Sequence, residues 1–219
     1  MIKLYGRKTS FNVQKVLWFL EELNLDFSLI ELGGRFGGLD DPEFSKLNPM
    51  KKVPVLVDGD KVIWESHSIL RYLASEYGEP QTPYQRSEYE RWMDWSQVIF
   101  QPAFMGTFWG FYRMPESKRD MRQIDRDLST CVGVLNLVES TLQHSHLENS
   151  NREYPVLVGT KLSLADVCVG AILYRLTEQG LNIKLPPRVN EWYQALKQRV
   201  GYQKWIMSDF TELKAREDY

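Results

Sequence analysis

The stretch Lys52-Val53-Pro54-Val55-Leu56-Val57-Asp58-Gly59-Asp60-Lys61-Val62-Ile63-Trp64-Glu65-Ser66 decides the fold. Two runs rich in β-branched residues, 55–57 and 62–64, flank Asp58-Gly59-Asp60-Lys61. Asp-Gly between such runs predicts a hairpin, because the glycine supplies a positive φ without steric cost. Pro54 heads the first run, one of the few places where a strand accepts proline. Ser66 is a natural N-cap for the helical pattern Ser66 to Tyr77, which stops at Gly78, a natural residue just past a helix end. The segment therefore reads strand, turn, strand, helix.

Upstream, Ile2 to Tyr5 is a short strand pattern. Val13, Val16, Leu17, Leu20 and Leu23 then recur at helical spacing, with Trp18 and Phe19 widening the stripe. Asp26 to Glu31 returns to a strand pattern. The loop Gly33-Gly34-Arg35-Phe36-Gly37-Gly38 after it is too polar and flexible for a core. The order βαβ, irregular segment, ββα is that of a thioredoxin-like domain over residues 1–78. Two prolines in Glu79-Pro80-Gln81-Thr82-Pro83 mark a linker, taken as 79–85. The remainder, 86–219, predicts an all-α domain, with helical patterns over about Tyr84–Arg113, Glu116–His146, Ser163–Gln179 and Pro187–Lys214. Pro102 is expected to kink or break the first. Ser163-Leu164-Ala165-Asp166 has the form of a capping box, with Leu162 and Val167 as its staple. The helix it opens is apolar nearly all round through Tyr174, which places it at the centre of the second domain.

Hydrophobic residues make up 43% of the 219-residue chain and charged residues 26%, which suits a globular core rather than disorder. Lys and Arg total 27 against 29 Asp and Glu, without the basic excess of a nucleic-acid or anionic-membrane surface. Cys131 and Cys168 form no CxxC pair and lie in apolar helical stretches, as buried reduced thiols do. His67, His144 and His146 make no zinc-ligand spacing with them. No leader pattern opens the chain, and the longest apolar run falls short of the ~20 residues of a membrane span. The expectation is a soluble, cytoplasmic protein without disulfides or metal.

Three local features carry chemistry. Val53-Pro54 at a strand start admits a trans or a cis bond; a cis bond would turn the Val53 N–H and C=O towards a ligand. Glu65-Ser66, between strand and helix, reads as plain capping or as a carboxylate and a helix N-terminus meeting the two charges of an α-amino acid end. Ser10 and Asn12 fall at the start of the first helix, where they either cap it or stabilise a thiolate.

In order and spacing these residues resemble the glutathione transferase family over essentially the whole chain, and most of all its bacterial serine-type (theta-like) members. The resemblance implies glutathione as co-substrate. Ser66 would hold the γ-glutamyl carboxylate, Glu65 the ammonium, the Val53 backbone the cysteinyl part, and Lys52 or Arg35 the glycyl carboxylate. Ser10 would donate to the thiolate, with Asn12 second, Thr9 third and Tyr5 fourth; serine-type members carry the same tyrosine-to-serine spacing as Tyr5 to Ser10. No cysteine lies near Ser10, so a mixed-disulfide mechanism is excluded at that position. Pro54, Ser163 and Asp166 are structural in this reading.

The family builds its electrophile site mostly on the first long helix of the second domain. Met105, Trp109 and Tyr112 fall there at i, i+4 and i+7, with Phe108 adjacent. These rings are either a wall for a small hydrophobic electrophile or core. Arg113 next to them would polarise an electrophile or be solvated. Three functions fit: conjugation, glutathione-dependent disulfide reduction without an enzyme cysteine, and a non-catalytic scaffold. Intact Ser10, Val53-Pro54 and Glu65-Ser66 argue against the scaffold. The resemblance implies a homodimer.

Overall fold

The computed structural model describes residues 1–148 and 155–215, with the side chains of 145–148, His146 included, outside the description. Two compact units form: Met1–Thr82 with Val200–Ser208, and Pro83–Arg199 with Asp209–Tyr219.

The first unit contains β1 (Ile2–Tyr5), α1 (Phe11–Glu22), β2 (Phe27–Ile30), α2 (Pro42–Leu47), β3 (Val55–Asp58), β4 (Lys61–Trp64) and α3 (Ser66–Tyr77). Its sheet has the order β2-β1-β3-β4, with β1 parallel to β2 and the other neighbours antiparallel. Along β1, Ile2 and Leu4 are buried and Lys3 exposed, the period-two signature of a strand with one covered face. Asp58 pairs with Lys61 across the hairpin, and Gly59 takes φ 62° as its turn requires. Tyr72 of α3 donates its hydroxyl to Asp58 Oδ2 at 2.8 Å, and Tyr77 donates to the same oxygen. These hydroxyls hold the Asp58 carboxyl below its ordinary range and tie the hairpin to the helix.

Helix α1 is buried continuously from Val13 to Leu20, beyond the predicted stripe, and Leu23 lies past its end. The extra cover comes from 200–208, which the sequence reading gave to a long helix of the second domain. That helix, α8 (Pro187–Lys197), instead ends early, and a π turn at Tyr202–Ile206 packs on α1. Tyr202 meets Trp18 edge-on at 4.9 Å, Gln14 donates to Ser208 Oγ at 2.7 Å, and Glu21 accepts from Lys204 and Trp205. Gly201 permits the close approach: a Cβ there would stand 2.8 Å from Trp18 Cδ1.

Helix α2 lies inside the segment read as irregular. Asp41 caps it, accepting from the Glu43 N–H at 2.8 Å, and Pro42 fills the first helical position. Gly78 does end α3, but with φ −86° rather than the left-handed value expected of that position. Glycine is needed there because a Cβ would lie 2.4 Å from the Ala74 carbonyl oxygen.

In the second unit α4 (Pro83–Trp95), a π turn at Ser96–Phe100, α5 (Gln101–Thr107) and a second π turn at Phe108–Tyr112 follow without interruption. Pro102 therefore does not break this run; it stands directly after the π turn at Ser96–Phe100, a local irregularity of the helix that goes with the missing N–H. A 3₁₀ turn at Glu116–Lys118 precedes α6 (Met121–Glu148), so that helix starts later than Glu116. Helix α7 (Leu164–Glu178) is buried from Leu164 through Leu173 and packs against α4, α5 and α8, the central position its composition predicts. The Ser163–Asp166 capping box forms. The fully buried Asp166 carboxylate accepts from Ser163 N and Oγ (both 2.9 Å), Leu157 N (2.8 Å) and Trp192 Nε1 (3.1 Å). Burial pushes this carboxyl up, and the four donors oppose it. Cys131 and Cys168 are buried, and neither is in a disulfide. No helix among the described residues is long and apolar enough to cross a membrane.

Candidate active site

Four chain segments meet at one end of the sheet because the strand register brings them there. Ile30 pairs with Tyr5, Tyr5 with Val55, and Val55 with Trp64, so one row crosses all four strands. Immediately beyond that row lie the loop after β2, the Gly6–Ser10 turn, the Val53-Pro54 segment and Glu65-Ser66. At about 4.8 Å per strand the row spans ~14 Å, enough for an extended tripeptide of about 10–11 Å.

The Val53–Pro54 bond is cis. Among the described residues the Val53 N–H and C=O make no hydrogen bond. Asn48, only 2% exposed, fixes the segment before them: its Nδ2 donates to the Lys52 carbonyl at 2.8 Å and its Oδ1 accepts from Met50 N at 3.0 Å. Sequence reasoning missed Asn48, although Asn48-Pro49 is a turn signal.

At the head of α3 the assignment of Ser66 as N-cap is corrected. Glu65 is the N-cap: it takes φ 68°, and its carbonyl accepts the first helical bond, from Ile69 N at 2.9 Å. Ser66 is the first helical residue, so its own N–H is one of the amides that an α-helix cannot satisfy internally. The Ser66 side chain is almost wholly buried, whereas Glu65 is exposed.

At the head of α1, Ser10 is the N-cap by backbone geometry (φ −80°, ψ 117°), and its hydroxyl makes no capping bond. Ser10 thus holds the cap position open to it in the sequence, its carbonyl accepting from Gln14 N at 2.9 Å, without the side-chain bond of a capping serine. Its N–H donates to the Arg7 carbonyl at 3.0 Å, which closes the turn. Asn12, in the first turn, has a buried Oδ1 without a hydrogen-bond partner among the described residues. A buried carboxamide oxygen left unpaired costs roughly 1–3 kcal/mol, which a ligand donor would recover. Thr9 lies in the same turn, and Tyr5 ends β1 with its ring 6.2 Å from Phe44. Lys52 and Arg35 are exposed, the Arg35 guanidinium 4.8 Å over the Phe36 ring.

In the second unit the i, i+4, i+7 spacing does not make one face. The π turn carries Arg113 N back to the Phe108 carbonyl, five residues away, and rotates the following side chains out of the 3.6-residue phase. Phe108 and Tyr112 are buried, stacked at 5.2 Å and packed on Phe210. Trp109 is 50% exposed under the Arg113 guanidinium at 4.1 Å, and Met105 is half-buried. Two of the four rings and chains thus serve as core, and Met105 and Trp109 remain accessible. No cluster of three or more His, Cys, Asp or Glu residues among those described is arranged to hold a metal ion.

The glutathione S-transferase N-terminal domain model matches residues 4–81, and the C-terminal domain model matches 100–200. The chain is 34% identical over 213 residues to glutathione S-transferase GstB of Escherichia coli, covering 94% of this chain and 98% of GstB. It is 28% identical to the E. coli disulfide-bond oxidoreductase YfcG, over 91% of each chain. Among solved structures it is similar to the theta class glutathione S-transferase of Xanthomonas axonopodis pv. citri with glutathione bound, with a TM-score of 0.84, 36% identity, and 95% and 98% of the two chains covered. With both domain models matched and a relative of that identity over nearly its whole length, the chain belongs to the glutathione S-transferase family.

Proposed function

We propose that the protein binds glutathione along the row of loops at the end of its sheet and transfers the thiolate to a hydrophobic electrophile. The observation that carries this is the juxtaposition, on one strand register, of a Val53 backbone without partners and the N-termini of α1 and α3. The Val53 N–H and C=O suit a short ladder to the cysteinyl residue. The Ser66 hydroxyl and first-turn amides of α3 suit the γ-glutamyl carboxylate, with Glu65 for the ammonium. Lys52 and Arg35 are candidates for the glycyl carboxylate.

A free thiol with a pKa of ~8.5 is only a few per cent ionised at neutral pH. Lowering it by about two units takes ~2.7 kcal/mol. A serine hydroxyl is too weak a base to remove the proton, so Ser10 donates to the anion once formed. Asn12 lies within the same first turn, and the positive end of α1 adds to both. Met105 and Trp109 are the accessible candidates for electrophile contact.

Disulfide exchange is the second reading, favoured by the likeness to YfcG together with Ser10 and Asn12 in one turn. The exposed Val62 and Trp64 of the edge strand β4 support a homodimer, since an unpaired apolar edge calls for cover. A cytoplasmic location fits the reduced cysteines.

The test mixes the protein and glutathione with an activated aryl halide, and in parallel with a small disulfide. Conjugation depleted by Ser10→Ala supports the first reading. Disulfide reduction without conjugation supports the second, and neither activity contradicts both.

A further inference from the structure

Helix α1 carries a cation inside its buried run. Lys15 is wholly buried between Val13 and Leu20, and a lysine in such a place costs stability that an apolar side chain of similar length would not. Its Nζ lies 3.1 Å from His67 Nε2 and 5.1 Å from the Phe11 ring centroid. Helical side chains lean towards the N-terminus, so the ammonium stands level with Phe11, the residue after Ser10. His67 is the second residue of α3, directly after Ser66. The ammonium is thus lodged just behind the heads of α1 and α3, whose first-turn amides already form the positive ends of two helices. His67 brings it no negative charge, because burial keeps the imidazole neutral. The charges that act on His67, those of Lys15 and Arg71, are both positive. A buried ammonium and two helix N-termini converging on one place suit an anion in front of them.

We propose that Lys15, held by His67 behind the two helix heads, supplies a fixed charge that favours the thiolate of glutathione bound at Ser10. This rests on the glutathione reading above. Being wholly buried, Lys15 touches no ligand and transfers no proton: it stays an ammonium, and the thiol proton leaves to water. It acts through its field, which a low-dielectric surrounding screens far less than water does. His67 is the positioning residue, since its Nε2 fixes the ammonium between the helices. A purely structural Lys15–His67 contact would hold α1 against α3 without altering the ionisation of the thiol, so the two roles part in experiment.

The experiment follows the ultraviolet thiolate band of the glutathione complex against pH for wild type, Lys15→Met and Lys15→Arg. Binding of glutathione and of S-methylglutathione, which lacks the thiol, is titrated in parallel. In wild type the bound thiol should ionise below the ~8.5 of a free thiol. Lys15→Met is expected to raise the pKa of the bound thiol by about one unit, a tenfold weaker ionisation. Lys15→Arg, which keeps the charge, is expected to stay nearer to wild type. If Lys15→Met is unfolded by circular dichroism, Lys15→Gln carries the comparison, with the same rise expected. A bound thiol that titrates alike in wild type and the uncharged variant, rises equally in Lys15→Met and Lys15→Arg, or is not lowered in wild type overturns the assignment. Wild type binding neither glutathione nor S-methylglutathione overturns the glutathione reading itself.

Discussion

Lys15 Nζ of α1 lies 3.1 Å from His67 Nε2 of α3, and neither side chain is open to solvent. The contact joins the two helices whose N-termini flank the candidate site. Burial drives the His67 pKa from 6.5 down to about 2, and the Lys15 and Arg71 charges add to the effect. The imidazole is therefore neutral, with Nε2 free to accept from the ammonium.

The pH dependence of stability follows from that shift. Between pH 6.5 and about 2 the unfolded chain protonates His67 and the folded chain does not. Stability from this group is complete above pH 6.5 and falls as pH drops, by up to ~1.4 kcal/mol per unit. Urea unfolding of wild type and His67→Gln at pH 7 and pH 5 measures it. The gap between the two proteins should narrow at pH 5; a gap that stays constant contradicts a neutral buried His67.

Asp166 should be among the costliest single positions in the second unit. Asp166→Ala leaves the buried Leu157 amide, the half-buried Ser163 amide and the Trp192 indole N–H without an acceptor. At about 1–3 kcal/mol for each orphaned donor, a loss of several kcal/mol in chemical denaturation is expected, against about 1 kcal/mol for Ser163→Ala. Comparable losses for the two would show that the carboxylate network is not what holds this helix start.

The three polar positions of the glutathione site should separate kinetically. Ser10→Ala should lower turnover while glutathione affinity stays within a few-fold, because the hydroxyl acts on the thiolate. Ser66→Ala should mainly weaken binding. Steady-state kinetics beside equilibrium titration distinguishes them, and intact turnover in Ser10→Ala with loss in Asn12→Ala would make Asn12 the donor.

Neither cysteine should take part. Both are buried, and burial pushes the Cys131 thiol up to about 12, so almost no thiolate exists at neutral pH. Incubation of the native protein with glutathione disulfide should leave its intact mass unchanged. A glutathionyl adduct on either residue would bring enzyme-thiol chemistry back.

Local chemistry made the hairpin, α1, α3 and the capping box legible in sequence, since Asp58-Gly59, the apolar stripe and Ser163-to-Asp166 each carry their signal within a few residues. What was lost depends on wider context. Helix α2 is six residues long, below the window in which periodicity speaks, and only Asp41-Pro42 announced it. The π turns leave no 3.6-residue mark, so Tyr112 and Trp109 were placed on one face when they part. Tertiary context gives Glu65 its positive φ and the N-cap position that Ser66 was expected to hold. The 200–208 segment reaches α1 through Tyr202 and Trp18, a contact that no local pattern encodes. At the site, the strand register brings together Ser10, Val53 and Ser66, which sequence could nominate only one by one.

Isothermal titration of the purified protein with glutathione, repeated with glutathione disulfide, tests the central claim most directly. The account predicts saturable binding of glutathione in the micromolar to low-millimolar range, weakened by Ser66→Ala. Tighter binding of the disulfide would favour exchange over conjugation. No heat from either ligand, and no competition between them, would contradict a glutathione site at the end of this sheet.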